Sequence, residues 1–386
     1  MRHYRRFAPA LDVGAEVYGR LVTAYEGFDE ENAAVAGALQ RELGRVLGAR
    51  STLDHWRYIR SFEADFAAFC GRKYAVGLGS GTAALELALV AMGVGPGDEV
   101  ITSAHTFIAT ALAVHHAGAR LVLVDPDPSD LCLRADAVAK AITPRTKVIV
   151  PVHMHGHLAE MPALLALASA RGLQVLEDCA QATGAAWGGR RAPVGGHGCF
   201  SFYPSKPLGG LGNGGCFVTD DDDLAAIVER LRDPDGADPL LLRAGRTPSF
   251  LHPVDVALLR CRLPLMASRR AARTERAELY RRALRDPSAL TPQPGVESAW
   301  ASFVIRRPDR DAVRARLLRA GFEAKIEYQV PLMDSPSLAP LGIDPGAFPV
   351  ARAAAAQGLS LPTRPSLSLQ AAAEIAAVVG PPRSPV

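Results

Sequence analysis

The strongest constraint on this chain is an alternation that begins near residue 73: a short apolar run, a turn, then a helical stretch, repeated to about residue 181. Runs at 73–79 (KYAVGLG), 100–103, 121–124, 147–152 and 174–176 are rich in Val, Leu and Ile and read as strands. The stretches 82–92 (TAALELALVAM), 107–116, 135–142 and 161–171 read as helices, the first stopped by Gly93. Strands alternating with helices in this way form βαβ units, so the predicted fold is α/β with a mostly parallel sheet. Ligands of such sheets bind beyond the carboxyl ends of the strands. The first candidates are therefore residues 80–82 (SGT), 105–107 (HTF), His153 and 178–181 (DCAQ).

Past Gln181 the alternation lapses into the Gly-rich AAWGGRRAPVGGHG, after which two strand-like runs, CFSFY and GCFVT, flank PSKPLGGLGNG. A helix is predicted over 222–231, an irregular Pro-, Gly- and Arg-rich connection to about 253, one long Arg-studded helix over 254–284, and a smaller α/β unit over about 300–380. The expected organisation is an N-terminal segment over 1–50, a large domain over 51–250, and a linking helix with a small C-terminal domain over 251–386. With 386 residues, 48% of them hydrophobic, the chain can build both cores. Its formal net charge is only +3 and its arginines are scattered, so neither nucleic acid nor an anionic membrane is expected as partner. The N-terminus is basic but lacks a signal peptide's apolar stretch, and no later run reaches membrane-spanning length. A cytoplasmic location is expected. Cys70, Cys132, Cys179, Cys199, Cys216 and Cys261 stand singly, with no C-x-x-C pair, and read as reduced packing residues.

Basic charge is carried almost wholly by arginine; the lysines are Lys73, Lys140, Lys147, Lys206 and Lys325. Lys73 and Lys147 begin strands, at the wrong edge of the sheet, Lys140 lies on an amphipathic helix, and Lys325 falls in the small domain. Only Lys206 stands in a Gly-rich loop beside an apolar strand, where desolvation lowers an amine's pKa and readies it for Schiff-base formation. A pyridoxal-phosphate (PLP) site needs such a lysine, a carboxylate to keep the pyridine nitrogen protonated, and an anion cradle for the phosphate. Asp178 ends the run LQVLED at the binding edge and suits the nitrogen. Ser80, Gly81 and Thr82 open a helix directly after a strand, and helix N-terminal amides with hydroxyls bind anions. Taken singly, an acid closing a strand or a Ser/Thr helix cap is ordinary local structure. The three features together point to PLP.

The segments SGTAALELAL, GPGDEVI, EDCAQATGA and SFYPSKPLGGLGNGG, in this order and spacing, resemble the DegT/DnrJ/StrS sugar aminotransferase family of fold-type-I PLP enzymes. The resemblance covers residues 50–220 well and 295–365 more loosely. It implies that Lys206 carries the cofactor, Asp178 pairs with its ring nitrogen, Gln181 contacts its ring hydroxyl, Phe107 stacks on the ring, and Gly81, Thr82 and Ser201 bind the phosphate. It also implies ping-pong transamination. An amino acid donor, glutamate or glutamine, converts the cofactor to pyridoxamine phosphate, which then aminates a nucleotide-linked keto-deoxysugar; the GGLGNGG run favours the branch acting at the sugar's 3-position. A homodimer with shared active sites follows from the same resemblance. His105, His153 and His155 are expected to line the mouth, and the run HMHGH at 153–157 is not expected to hold a metal.

Several positions depart from the family pattern. Gly79 replaces the usual Asn before SGT, Pro207 the usual Asn after the lysine, and His155 a Tyr. A G-x-N-x-R-like motif, normally lent to the phosphate site by the partner subunit, is replaced by AGRTPSFLHP, leaving Arg243, Arg246, Thr247 and Ser249 as alternative substitutes. Two rival readings accompany the main one: amination of a keto-cyclitol, and a catalytically silent PLP-binding regulatory or scaffold protein. A related dehydratase branch has His in place of the lysine, so Lys206 argues against it.

Overall fold

The computed structural model describes residues 33–233 and 248–381. Among the described residues, helices α1 (Ala36–Leu47) and α2 (Thr52–Cys70) precede the first strand. The Ser51 hydroxyl accepts the Asp54 N–H to cap α2, and Gly71, at φ 67°, ends it in the left-handed conformation. The alternation follows: β1 (Tyr74–Leu78), α3 (Gly81–Ala91), β2 (Glu99–Ser103), α4 (Ile108–His116), β3 (Arg120–Val124), α5 (Ala135–Ala141), β4 (Thr146–Val150), α6 (Met161–Arg171), β5 (Gln174–Val175) and β6 (Glu177–Asp178). A small hairpin, β7 (Ala186–Trp187) and β8 (Arg190–Arg191), leads to β9 (Gly198–Ser201), β10 (Gly215–Thr219) and α7 (Asp222–Arg232).

Strands β3, β2, β4 and β5 pair in parallel, and β6, β9, β10 and β1 continue the order. Leu176 N–H donates to the Ile149 carbonyl and Asp178 N–H to that of Pro151, so β5 and β6 form one interrupted strand and the two halves are one sheet. Among its described strands β10 alone runs against its neighbours. The predicted α/β fold with a mostly parallel sheet is present.

Alternation along the strands divides two cores. In β10, Phe217 joins α3 on one face while Cys216 and Val218 join α2 on the other. Helix α3 is buried on every side from Ala83 to Val90, which is why its sequence has no polar stripe. On the opposite face Phe66 of α2 meets Phe200 and Phe202 edge-on, with centroids 5.0 and 5.2 Å away. Each such buried ring contributes about 1.5–3 kcal/mol. Glu63 of α2 is buried among them; it accepts the Gly77 N–H at 2.7 Å and pairs with the buried Arg232 guanidinium, which also lies 4.9 Å from the Trp56 ring.

Beyond come α8 (Pro253–Arg262), α9 (Met266–Leu284), β11 (Val296–Glu297), β12 (Phe303–Arg306), α10 (Arg310–Arg319), α11 (Pro349–Gln357), β13 (Gly358–Leu361) and α12 (Leu369–Val379). The single helix expected over 254–284 is two helices, because a 3-10 turn at Leu263–Leu265 carries Pro264, which has no N–H and crowds the preceding turn. The antiparallel pair β12–β13 encloses its own core, including Tyr280, Phe303, Val313, Leu361 and Ile375. Residues 234–247 of the expected irregular connection lie outside the described residues. All the cysteines are free thiols, buried except for the half-buried Cys261, as their isolated contexts predict. Among the described residues no helix is long and apolar enough to cross a membrane.

Candidate active site

The carboxyl ends of β1, β2, β6 and β9 bring the predicted residues to one edge. Asp178 closes β6 with a buried side chain. Thr110, in the first turn of α4, donates its hydroxyl to Oδ2 at 2.9 Å, Ala180 N–H donates to Oδ1 at 3.1 Å, and the Thr106 hydroxyl lies 3.1 Å from that of Thr110. Among the described residues no cationic side chain lies within ion-pair distance of Asp178. Its carboxylate is oriented, and left with capacity for a positively charged partner.

Lys206 sits in the loop after β9. Its N–H donates to the Tyr203 carbonyl at 2.9 Å, Gly210 N–H reaches the Phe202 carbonyl at 2.7 Å, and Asp255 of α8 accepts the Leu211 and Gly212 N–H groups, each at 2.8 Å. The loop is thereby fixed to α8. Burial pushes the Lys206 amine below the ordinary lysine range and nearby Lys325 adds to this, while Glu327 and Asp178 pull the other way. That is the direction a nucleophilic amine requires.

At the start of α3 the Ser80 hydroxyl is spent on the Ala83 N–H at 3.0 Å. The Gly81 and Thr82 amides lie in the first turn, where no intrahelical acceptor exists, and the Thr82 hydroxyl has no partner among the described residues. A Cβ on Gly81 would lie 2.9 Å from that of Ser201 at the end of β9, so glycine is needed for this approach. Unpaired donors at a helix N-terminus fit a phosphate. Phe107, directly before α4, is 57% exposed and offers an uncovered ring face. Gln181 accepts the His155 N–H on Oε1 and donates from Nε2 to the Tyr328 hydroxyl, both at 2.6 Å.

Residues 37–380 match the DegT/DnrJ/EryC1/StrS aminotransferase family. The chain belongs to this family. It is 43% identical over 339 residues to the erythromycin biosynthesis sensory transduction protein EryC1 of Saccharopolyspora erythraea, covering 87% of this chain and 92% of that protein. A dTDP-3-amino-3,4,6-trideoxy-alpha-D-glucose transaminase of Streptomyces venezuelae is 41% identical over 324 residues, covering 82% of this chain and 86% of that one. The fold is similar to the crystal structure of S. venezuelae DesV in complex with a ketimine intermediate, at a TM-score of 0.83 and 38% identity over 92% of this chain and 95% of that chain. This DegT/DnrJ/EryC1/StrS member is a PLP-dependent aminotransferase, and its cleft fits the cofactor: a desolvated lysine, an oriented carboxylate without a cation, and an anion-binding turn.

The structure sorts the histidines that this family member was expected to place at the mouth. His153 does not reach it. That side chain has no exposed surface; Nδ1 accepts the Ala159 N–H at 3.2 Å, so Nε2 carries the hydrogen and donates to Glu177 at 2.7 Å, while Glu177 also accepts the Val194 and Gly195 N–H groups. His153 is a brace between the end of β4 and the loop before β9. His153, Glu177 and Cys179 have ligand atoms within 4.8 Å of one another, but both ring nitrogens are engaged and burial holds the thiol far above its usual range. His105 and His155 do border the site, though buried: the His105 ring stands edge-on to Tyr328 at 5.3 Å, and His155 Nδ1 lies 3.0 Å from Ser302 Oγ and 3.6 Å from Glu327. Burial pushes both imidazoles down to about 3, helped by His155 in the first case and Lys206 in the second, so they are neutral groups at physiological pH.

Sequence reasoning missed Lys325, Glu327 and Tyr328. Lys325 bonds by its backbone to Ser360 of β13, which holds the segment over the cleft. Burial raises Glu327 above the usual carboxylate range, opposed by Lys206 and Lys325. Tyr328, His155 and Trp300 all adopt positive φ, at 57°, 56° and 46°. Such backbone costs about 1–3 kcal/mol per residue and persists where the surroundings hold it. Of the candidate phosphate substitutes, Arg243, Arg246 and Thr247 lie outside the described residues; Ser249 is described and accepts the Gly79 N–H at 3.2 Å.

Proposed function

We propose that this protein transfers an amino group from an amino acid, glutamate or glutamine, to the keto group of a nucleotide-linked deoxysugar, with the sugar's 3-position favoured. The observation that carries the reading is the meeting of Lys206, Asp178 and the Gly81–Thr82 turn at one sheet edge, with the Lys206 amine pushed down by burial. For the acceptor, support comes from the S. venezuelae relative named for a dTDP-3-amino-trideoxyglucose. When bound, PLP supplies an electron sink for the bond broken at the amino-bearing carbon.

In this reading Lys206 Nζ holds the cofactor aldehyde and, once displaced, takes a proton from one carbon and returns it to another as base and acid. Asp178, oriented by Thr110, holds the proton on the ring nitrogen. Gly81, Thr82 and Ser201 hold the phosphate, Phe107 covers a ring face, and Gln181 stands beside the ring hydroxyl. His105, His155 and Tyr328 wall the cleft and keep water from Lys206. The protein is further read as a cytoplasmic homodimer, with a large domain over 51–250 and a linking helix and small domain over 251–386; separate cores on either side of α9 support that division.

Incubating the PLP-loaded protein with glutamate and a panel of nucleotide-linked keto-sugars, read by mass, tests the proposal. The expected result is one sugar carrying an amine in place of its keto oxygen. Conversion of glutamate with amination of keto-cyclitols alone would move the substrate; binding of PLP with no conversion of glutamate would make this a silent binder.

A further inference from the structure

Gly79 and Ser249 stand 170 residues apart in sequence and touch in the fold, joining two of the positions at which this chain departs from its family. Gly77, Gly79 and Gly214 leave a groove along the end of β1 in which residues 249–251 lie. A Cβ on Gly77 would meet Leu251 Cβ at 3.1 Å, one on Gly214 would meet Leu251 Cδ1 at 2.8 Å, and one on Gly79 would meet Ser249 Oγ at 3.0 Å. Leu251 fills the groove and is fully buried. Ser249 N–H donates to the Arg232 carbonyl at 2.7 Å, and the Phe250 ring packs on Trp56 at 5.5 Å. Arg232 and Trp56 are themselves held by Glu63 and by each other. The segment is therefore seated by its own chain.

The seating matters for the donors at the start of α3. Ser249 Oγ accepts the Gly79 N–H at 3.2 Å, and among the described residues nothing accepts the hydrogen of its hydroxyl. Gly79 immediately precedes Ser80, whose own hydroxyl is spent on Ala83. The unspent donors around this turn are thus the Gly81 and Thr82 amides and the hydroxyls of Thr82, of Ser249 and of Ser201, whose oxygen accepts the Tyr203 N–H beside Gly81. A phosphate presents three strong acceptor oxygens, and among the described residues no arginine or lysine is paired to this turn.

We infer that Ser249 is a ligand of the cofactor phosphate supplied in cis: the side chain absent from Gly79 is the space its hydroxyl occupies, and residues 249–251 close the phosphate end of the cleft from the chain that owns it. This rests on the PLP reading above.

The test compares dissociation constants of PLP and of phosphate-free pyridoxal, followed by absorbance, for the full-length wild type, Ser249→Ala, and the pair Gly79→Ser with Ser249→Ala. Loss of one hydrogen bond to a charged oxygen predicts PLP binding weakened about tenfold or more in Ser249→Ala, with pyridoxal unchanged and PLP affinity recovered when the hydroxyl is returned from position 79. Equal weakening of both ligands would reduce Ser249 to packing; unchanged PLP affinity would refute the assignment outright. Cis is separated from trans by mixing Lys206→Ala chains with Ser249→Ala chains and reading the visible band of cofactor bound at Lys206 under limiting PLP. A cis ligand gives no gain over Ser249→Ala alone, whereas a tight site appearing on mixing would show Ser249 to act in trans. A wild type that fails to bind PLP would defeat the proposed function; normal wild-type binding with an indifferent Ser249→Ala would defeat only this inference.

Discussion

Gln181 and Tyr328, 147 residues apart, are joined by a 2.6 Å hydrogen bond in which the amide donates to the phenol oxygen. Through it the edge of the parallel sheet holds the segment that carries Lys325 and Glu327. The other end of the same amide accepts the His155 N–H, so one side chain fixes two residues with left-handed backbone.

Gln181→Ala leaves a buried N–H and a hydroxyl without partners, which costs about 1–3 kcal/mol for each group that water cannot reach. Urea denaturation should show a loss in that range, and a smaller loss, about 0.5–1.5 kcal/mol, for Tyr328→Phe. Equal stability of Gln181→Ala and wild type would mean that the segment is held by other contacts.

Glu63 and Arg232 form a pair with almost no exposed surface. Removing one partner leaves the other charged and buried, so Glu63→Ala should destabilise by about 3–5 kcal/mol, and the double variant Glu63→Ala with Arg232→Met by less than the two single losses added. Additive losses in a double-mutant cycle would contradict the coupling.

Asp178→Asn should leave PLP bound and the fold intact while cutting turnover with glutamate by orders of magnitude, since a neutral amide cannot stabilise the proton on the ring nitrogen. Thr110→Val, which removes the hydroxyl that orients Asp178, should lower turnover less. Near-normal rates in Asp178→Asn would place the electrostatic partner elsewhere.

Burial holds His105, His155 and His157 near 3, against an ordinary value of 6.5. Between those values the unfolded chain binds more protons than the folded one, so stability falls as pH drops through about 6.5. Glu327 and Asp130, raised by burial, act in the opposite sense as they take up protons earlier in the folded state. Three histidines outweigh two carboxyls in the range above the carboxylate values, and the melting temperature should be lower at pH 5.5 than at pH 7.5. A melting temperature that is the same or higher at pH 5.5 would show that these rings are not buried neutral.

The sheet and its binding edge were legible because short continuous apolar runs, turns and helices such as α3 leave local signatures, and Lys206 was legible because lysine is scarce in this chain. The break at Pro264 was missed although proline carries the signal, since an apolar and arginine pattern continues across it. His153 was misread because a position at a strand's end says nothing about the partner, Glu177, that draws the ring inward. Glu327 and Tyr328 carry no periodic signal; the pairing of Lys325 with Ser360 and the bond from Gln181 to Tyr328 bring them over the cleft. For the same reason the fit of Ser249 to Gly79 could be seen only once the chain was folded.

Catalysis depends on which amine holds the cofactor, and Lys325 beside Lys206 makes that a real choice. Reducing the PLP-loaded protein with borohydride and mapping the modified peptide decides it. The cofactor is predicted on Lys206, with Lys206→Ala losing both the visible absorbance band and the reducible adduct while keeping its fold. An adduct on Lys325, or one that survives Lys206→Ala, would contradict the account.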